Sequence, residues 1–142
     1  MNMYVRLAEY KDSEALSLLN NMFNEVNITS EEIKQNLINN NELIVVGVID
    51  EKIVSFGCAQ IYKSFCYNYL HGEITEMYVN EESRGRGSAS MMIELLEKEL
   101  KNQGVKSIKL LTGKYNHIAQ KTYLSCGYIS KDEAMFYKKI NT

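Results

Sequence analysis

Apolar and polar residues alternate along the chain in two distinct periods. Residues 3–7 read as a short strand. From Asp12, placed as an N-cap, the residues Ala15, Leu16, Leu18, Leu19, Met22 and Phe23 recur at helical spacing and predict one apolar face. Thr29 followed by Glu32 is a capping-box signature, and Ile33, Leu37 and Ile38 carry a second helix onward. Two β-rich runs, 43–49 and 53–62, are joined by Asp50-Glu51-Lys52 and predict an antiparallel hairpin. Residues 65–70 read as an aromatic loop or strand end, and 73–79 (EITEMYV) as a further strand. Over 88–100, Met91, Met92, Leu95, Leu96 and Leu100 form the stripe of a helix, Glu94–Lys98 is a favourable i,i+4 pair, and Gly104 stops it. Residues 107–112 are the next strand, so the strand–helix–strand order implies a right-handed crossover and parallel pairing. A short helix over 118–126 ends at Gly127, and 134–140 is expected to close the sheet. The fold class is therefore α/β: a mixed sheet, antiparallel first and parallel in the middle, with flanking helices.

Composition narrows the function more than the fold. A chain of 142 residues with 45% hydrophobic and 24% charged content suits one domain, 1–142, and no linker, repeat or proline interrupts it. No apolar run approaches the ~20 residues of a membrane helix, and the start, MNMYVRLAEYKD, lacks a signal-peptide pattern, so a cytoplasmic protein without membrane association is expected. Cys58, Cys66 and Cys126 form no CxxC pair, which predicts reduced, mostly buried thiols. With only His71 and His117 besides, no metal centre is expected. Residues 1–100 carry a charge of −8 and residues 101–142 a charge of +6, and the net of −2 with no basic aromatic stripe disfavours nucleic acid.

The chemistry concentrates in Val79-Asn80-Glu81-Glu82-Ser83-Arg84-Gly85-Arg86-Gly87-Ser88-Ala89, which leaves a strand and opens the longest helix. Gly85 and Gly87 let backbone N–H groups approach a ligand, a helix N-terminus suits a pyrophosphate, and Arg84 and Arg86 add cationic donors. The GxxxxGK[ST] loop of nucleoside triphosphatases is missing, and GxGxxG is only half present. A dinucleotide fold would place such a loop after its first strand, and here it follows a hairpin.

Residues Arg84 to Ala89 resemble the Arg/Gln-x-x-Gly-x-Gly/Ala acetyl-CoA signature of the GNAT superfamily of N-acetyltransferases. Asn116-His117-Ile118-Ala119-Gln120-Lys121-Thr122-Tyr123-Leu124-Ser125-Cys126-Gly127-Tyr128 is similar to the family's second pattern, Asn-x-x-Ala-x-x-x-Tyr-x-x-x-Gly-Phe/Tyr. The two together span roughly residues 73–140. Asn80 departs from the family, many of whose members have proline there.

The resemblance implies a GNAT fold whose strand before the loop carries a β-bulge, so that the pantetheine arm of acetyl-CoA pairs with Met77, Tyr78 and Val79 across from residues 107–112. The loop backbone of Arg84, Gly85, Arg86, Gly87, Ser88 and Ala89 would hold the pyrophosphate, with Asn116 and Ala119 bordering the arm. Attack on a thioester needs a neutral amine, so a base helps. Glu73 matches the family's base position, with Glu76 as substitute or amine-binding carboxylate. Residues three apart on a regular strand point to opposite faces, so only one of the two faces the cleft unless a bulge intervenes. Tyr123 occupies the position of the acid that protonates the leaving thiolate. His71, His117 and Cys126 read as structural or surface residues, and the methionines as core.

Acidic residues in the N-terminal half suit a small cationic amine as acceptor, acetylated by direct attack in a ternary complex without metal. The alternatives are a peptide or protein amine, and a regulatory module that binds acetyl-CoA without turnover. Small enzymes of the family often pair, so a homodimer through an exposed C-terminal strand is an expectation by analogy.

Overall fold

Strands become a sheet only where partners complete their backbone hydrogen bonds, and here five do so in chain order. A computed structural model describing residues 2–141 contains β1 (Met3–Leu7), β2 (Leu43–Ile49), β3 (Lys52–Tyr62), β4 (Leu70–Val79) and β5 (Val105–Leu110). The first four pair antiparallel, and β4 pairs parallel with β5. Asp50 and Glu51 turn the β2–β3 hairpin with φ of 48° and 70°, the left-handed conformation that matches the twist of the flanking strands.

Each sheet face carries its own apolar layer. On one, α1 (Ser13–Asn24) and α2 (Ser30–Ile38) bring Leu16, Leu19, Ile33 and Leu37 onto Val46, Val48, Phe56, Cys58 and Tyr78. On the other, α3 (Ser88–Asn102) buries Met92, Ile93, Leu96 and Leu100 against Val45, Ala59, Ile74 and Val105. The short α4 (His117–Ser125) joins that second layer at its margin through Tyr123. No helix among the described residues is long and apolar enough to cross a membrane.

Four local expectations change in the folded chain. The apolar face of α1 is narrower than its periodicity suggests: Leu16 and Leu19 are buried, while Leu18 and Met22 are 64% and 62% exposed, so Met22 is no core residue. Ser17 and Asn21 share the inward side, where both donate to the Ile28 carbonyl and Asn21 accepts from the Ile28 N–H. Cys66 is exposed, in the loop between β3 and β4. β4 begins at Leu70, which places His71 inside a strand rather than before it. Residues 134–140 form no strand, so the parallel pair stands at the sheet's edge. Tyr128, just after α4, donates its hydroxyl to Glu97 Oε2 at 2.7 Å on α3 and packs against the α3-side layer. Beyond it residues 134–140 pair with no strand among the described residues, and without a partner ladder strand periodicity alone does not make a strand.

Asp12 precedes α1 without capping it by its side chain. Its buried carboxylate accepts two bonds from the Arg6 guanidinium, at 2.7 and 2.9 Å, and one from the Glu9 N–H at 2.7 Å. Burial alone would raise this carboxyl's pKa, but the Arg6 bonds and the Glu9 N–H outweigh it and hold the group below the usual range. A group depressed in the folded state stabilises above its unfolded pKa, about 3.9, and that contribution disappears as pH falls through the folded value. Asp12→Asn is expected to lower stability at pH 7 by about 1.5–3 kcal/mol and to flatten the loss of Tm below about pH 4. Melting curves across pH 2–7 check both, and an unchanged acid limb would contradict the assignment.

Candidate active site

A single extra residue shapes the cleft. Cys58 on β3 stands opposite Glu76, yet its neighbour Ala59 stands opposite Ile74, which leaves Thr75 as a bulge on β4. The Thr75 hydroxyl donates to the Cys58 carbonyl at 3.4 Å. Pairing with β5 stops at the same point, with Ile74 opposite Leu110 as the last pair. Among the described residues, 76–79 therefore pair with β3 only, and their other edge is open. Met77, Tyr78 and Val79, the expected pantetheine-facing positions, lie along that open edge.

The bulge also settles where two carboxylates point. Met77 and Ile74 both pack in the α3-side layer, and Tyr78 packs on the α1 side. With Thr75 inserted between them, Glu76 and Glu73 both face the α1–α2 side, although they are three residues apart. Glu76 Oε1 accepts from the Asn24 amide at 3.3 Å, and Glu73 Oε1 lies 3.8 Å from Lys109 Nζ on β5. A third carboxylate completes the group. Burial pushes the Glu42 carboxyl above its usual range, and the charge of Glu76 adds to the shift against a bond from the Cys58 thiol. The Cys58 thiol is itself raised well above its ordinary value, first by burial and then by Glu42 and Glu76.

The loop after β4 is held by the chain's own groups. The Asn80 N–H donates to the Val54 carbonyl at 2.8 Å, and the Asn80 side chain accepts from the Glu82 N–H at 3.4 Å. These bonds supply the turn that a proline would otherwise fix. Arg84 Nε donates to the Val79 carbonyl at 2.9 Å, and its guanidinium lies 5.9 Å from the centre of the Tyr78 ring. Gly85 and Gly87 adopt φ of 79° and 91°, while a Cβ at either would meet nothing within 4 Å. Backbone conformation, not crowding, is what requires glycine there. Gly87 is the N-cap of α3 and offers no side-chain cap, so the first-turn N–H groups remain available to an anion. Ser88 is 2% exposed with its side chain turned inward, Ala89 follows half-buried, and Arg86 lies on the exposed rim.

On α4, the Asn116 side chain accepts from the Ala119 N–H at 3.1 Å and caps the helix, as the sequence allowed. Tyr123 is partly buried against the α3-side layer, and burial raises its hydroxyl pKa, which keeps it protonated. The carboxylates face one side of the sheet and Tyr123 packs on the other. Cys126 Sγ lies 3.8 Å from Ser90 Oγ, and His117 is solvent-exposed.

Three features were not legible in sequence. Glu42 joins Glu76 because β2 and β4 flank β3, a relation no local motif encodes. Lys109 meets Glu73 through the parallel register. His71 stacks on Tyr62 at 5.3 Å between ring centres, with Tyr67 at 5.1 Å and Tyr69 at 4.8 Å. Its Nδ1 shares a hydrogen with Ser107 Oγ at 3.1 Å, while Nε2 is buried without a partner. The tyrosine-rich run 62–69 was the one available signal for that cluster.

The sequence model of a family described as the Acetyltransferase (GNAT) family matches residues 12–128. Among curated proteins, none matches the chain. Solved structures with a similar fold include an aminoglycoside acetyltransferase from an uncultured soil metagenomic sample in complex with trehalose. It shows 16% identity over 98% of this chain and 97% of that one, with a TM-score of 0.84. Glucosamine-6-phosphate N-acetyltransferase from Arabidopsis thaliana shows 22% identity over 97% and 99%, with a TM-score of 0.84. Ribosomal-protein-alanine N-acetyltransferase from Brucella melitensis biovar Abortus 2308 shows 14% over 99% and 100%, with a TM-score of 0.83.

Proposed function

This chain belongs to the GNAT acetyltransferase family, and from that premise we propose that it moves the acetyl group of acetyl-CoA onto an amine of a small cationic acceptor. The observation that carries this reading is the Thr75 bulge, which coincides with the end of β4–β5 pairing and leaves an open strand edge leading to an uncapped helix N-terminus. That edge fits an extended amide-bearing arm, and the α3 terminus fits a diphosphate.

Acetyl-CoA, when bound, supplies an acetyl thioester. The free edge of Met77, Tyr78 and Val79 would hold its arm, and the backbone from Arg84 to Ala89 its diphosphate, while Asn116 and Ala119 border the arm. Glu73 takes the proton of the attacking amine, directly or through water, and Glu76 with Glu42 holds the acceptor's positive charge. Tyr123 keeps its proton at neutral pH and gives it to the departing sulfur. Three carboxylates gathered on the acceptor side favour a cationic small molecule over a neutral one. The same reading takes residues 1–142 as one catalytic domain working in the cytoplasm without a metal.

Acetyl-CoA at about 100 times its dissociation constant should stabilise the protein by about 2.7 kcal/mol in thermal denaturation. A panel of amines followed by thiol release should rank dications and polycations above uncharged-ring monoamines in kcat/KM. An unshifted melt at high acetyl-CoA, or a ranking indifferent to acceptor charge, would overturn the corresponding half of the proposal.

A further inference from the structure

Lys109 occupies the position expected of an acceptor. It stands opposite Glu73 in the parallel register, one residue before the strands part. Its Nζ lies 3.8 Å from Glu73 Oε1 and 5.9 Å from the centre of the Tyr62 ring. A carboxylate on one side and an aromatic face on the other is how a protein holds an alkylammonium. Lys109 is therefore a primary amine, tethered by the fold itself, beside the candidate base at the mouth of the cleft. Its side chain is 62% exposed, so it is free to extend and is poorly protected by so weak a surface pair. Along the strands, the first position of β4 unpaired with β5, Thr75, is about 6.6 Å further on, within the sweep of a lysine side chain.

We propose that Lys109 is an intramolecular acceptor, acetylated at Nζ by the chain that carries it. The inference rests on the acetyl-transfer reading above. In the step, the Lys109 ammonium loses one proton to Glu73, which passes it to water. Nζ then bonds to the thioester carbonyl carbon as the C–S bond breaks; the nitrogen gives its second proton to solvent, and the sulfur leaves as coenzyme A thiol with a proton from Tyr123, which solvent reprotonates, or from solvent directly. The balance is one acetyl-CoA and one lysine ammonium consumed, and one acetyl-lysine, one thiol and one proton formed. Acetylation removes the cation that engages Glu73, so the modified chain presents Glu73 unopposed to a free amine. Lys109 thereby gates the acceptor site.

The test incubates the full chain with acetyl-CoA and follows each lysine by peptide mass spectrometry. Lys109 should gain its acetyl group at least ~10-fold faster than Lys106, which is exposed on the same strand but three residues away. The rate constant should not change with protein concentration, and Glu73→Gln should reduce Lys109 to the Lys106 rate. A readout without coenzyme uses trace acetic anhydride, where the preference for Lys109 over Lys106 should disappear, because it comes from the bound thioester and not from the lysine's own reactivity. Melting temperatures of the variant confirm that it is folded. Labelling of Lys109 no faster than Lys106, or in proportion to protein concentration, overturns the inference. If acetyl-CoA still shifts the melt and free amines still release thiol, only this inference falls. If neither occurs, the acetyl-transfer reading falls with it.

Discussion

Glu73→Gln is expected to lower kcat by about 100-fold or more, the contribution of a positioned general base, while acetyl-CoA shifts the melt as before. The substitution keeps the shape and the strand position but removes the group that takes the amine's proton. Glu76→Gln should act differently. Glu76 accepts from Asn24 and sits beside Glu42, so its loss should raise KM for cationic acceptors more than it lowers kcat. Raising the pH provides a cross-check, because an acceptor already deprotonated in solution needs the base less and should recover part of the Glu73→Gln rate. Steady-state kinetics from pH 6 to 10 measure this. A chain that merely bound acetyl-CoA would show neither the Glu73→Gln deficit nor one from Tyr123→Phe. Equal effects at Glu73 and Glu76 would remove the distinction between base and binding carboxylate.

Deleting Thr75 should abolish acetyl-CoA binding while leaving the protein folded. Without Thr75, Glu76 still faces Cys58, Ile74 still faces Ala59 and Glu73 still faces Gln60. Every side chain of β4 thus keeps its face, so Ile74 and Tyr78 remain in their apolar layers. The bulge's bend and added twist are lost, and a regular β4 can continue its ladder with β5 past Ile74 and Leu110. The open edge closes, and the stabilisation of about 2.7 kcal/mol expected at 100 times the dissociation constant should vanish. Circular dichroism and a cooperative melt test the fold, and the melt with acetyl-CoA tests the cleft. A deletion variant that still binds would show that the strands part for another reason.

Much of the fold was readable locally. The Thr29–Glu32 box forms with both of its bonds, α3 begins at Ser88 as its apolar stripe required, and the 43–49 and 52–62 hairpin turns at Asp50 and Glu51. Each of these depends on residues a few positions apart, where spacing and capping chemistry suffice. Residues 134–140 follow no such local rule. Their pattern suits a strand, but a strand needs a neighbour, and among the described residues none pairs with them. Leu18 and Met22 likewise share the helical period of Leu16 and Leu19, yet only the latter two meet the sheet.

From sequence alone come the order of elements, the glycine-bearing loop before α3, and the two motifs within roughly residues 73–140 that resemble the family. Tertiary structure decided that Glu73 and Glu76 share a face, that Glu42 joins them, and that Lys109 stands opposite the base. These facts depend on register between strands distant in the chain, and a single inserted residue inverts the facing of everything beyond it. Periodicity within one strand carries no record of that count, because the bulge is defined only against the partner it fails to match.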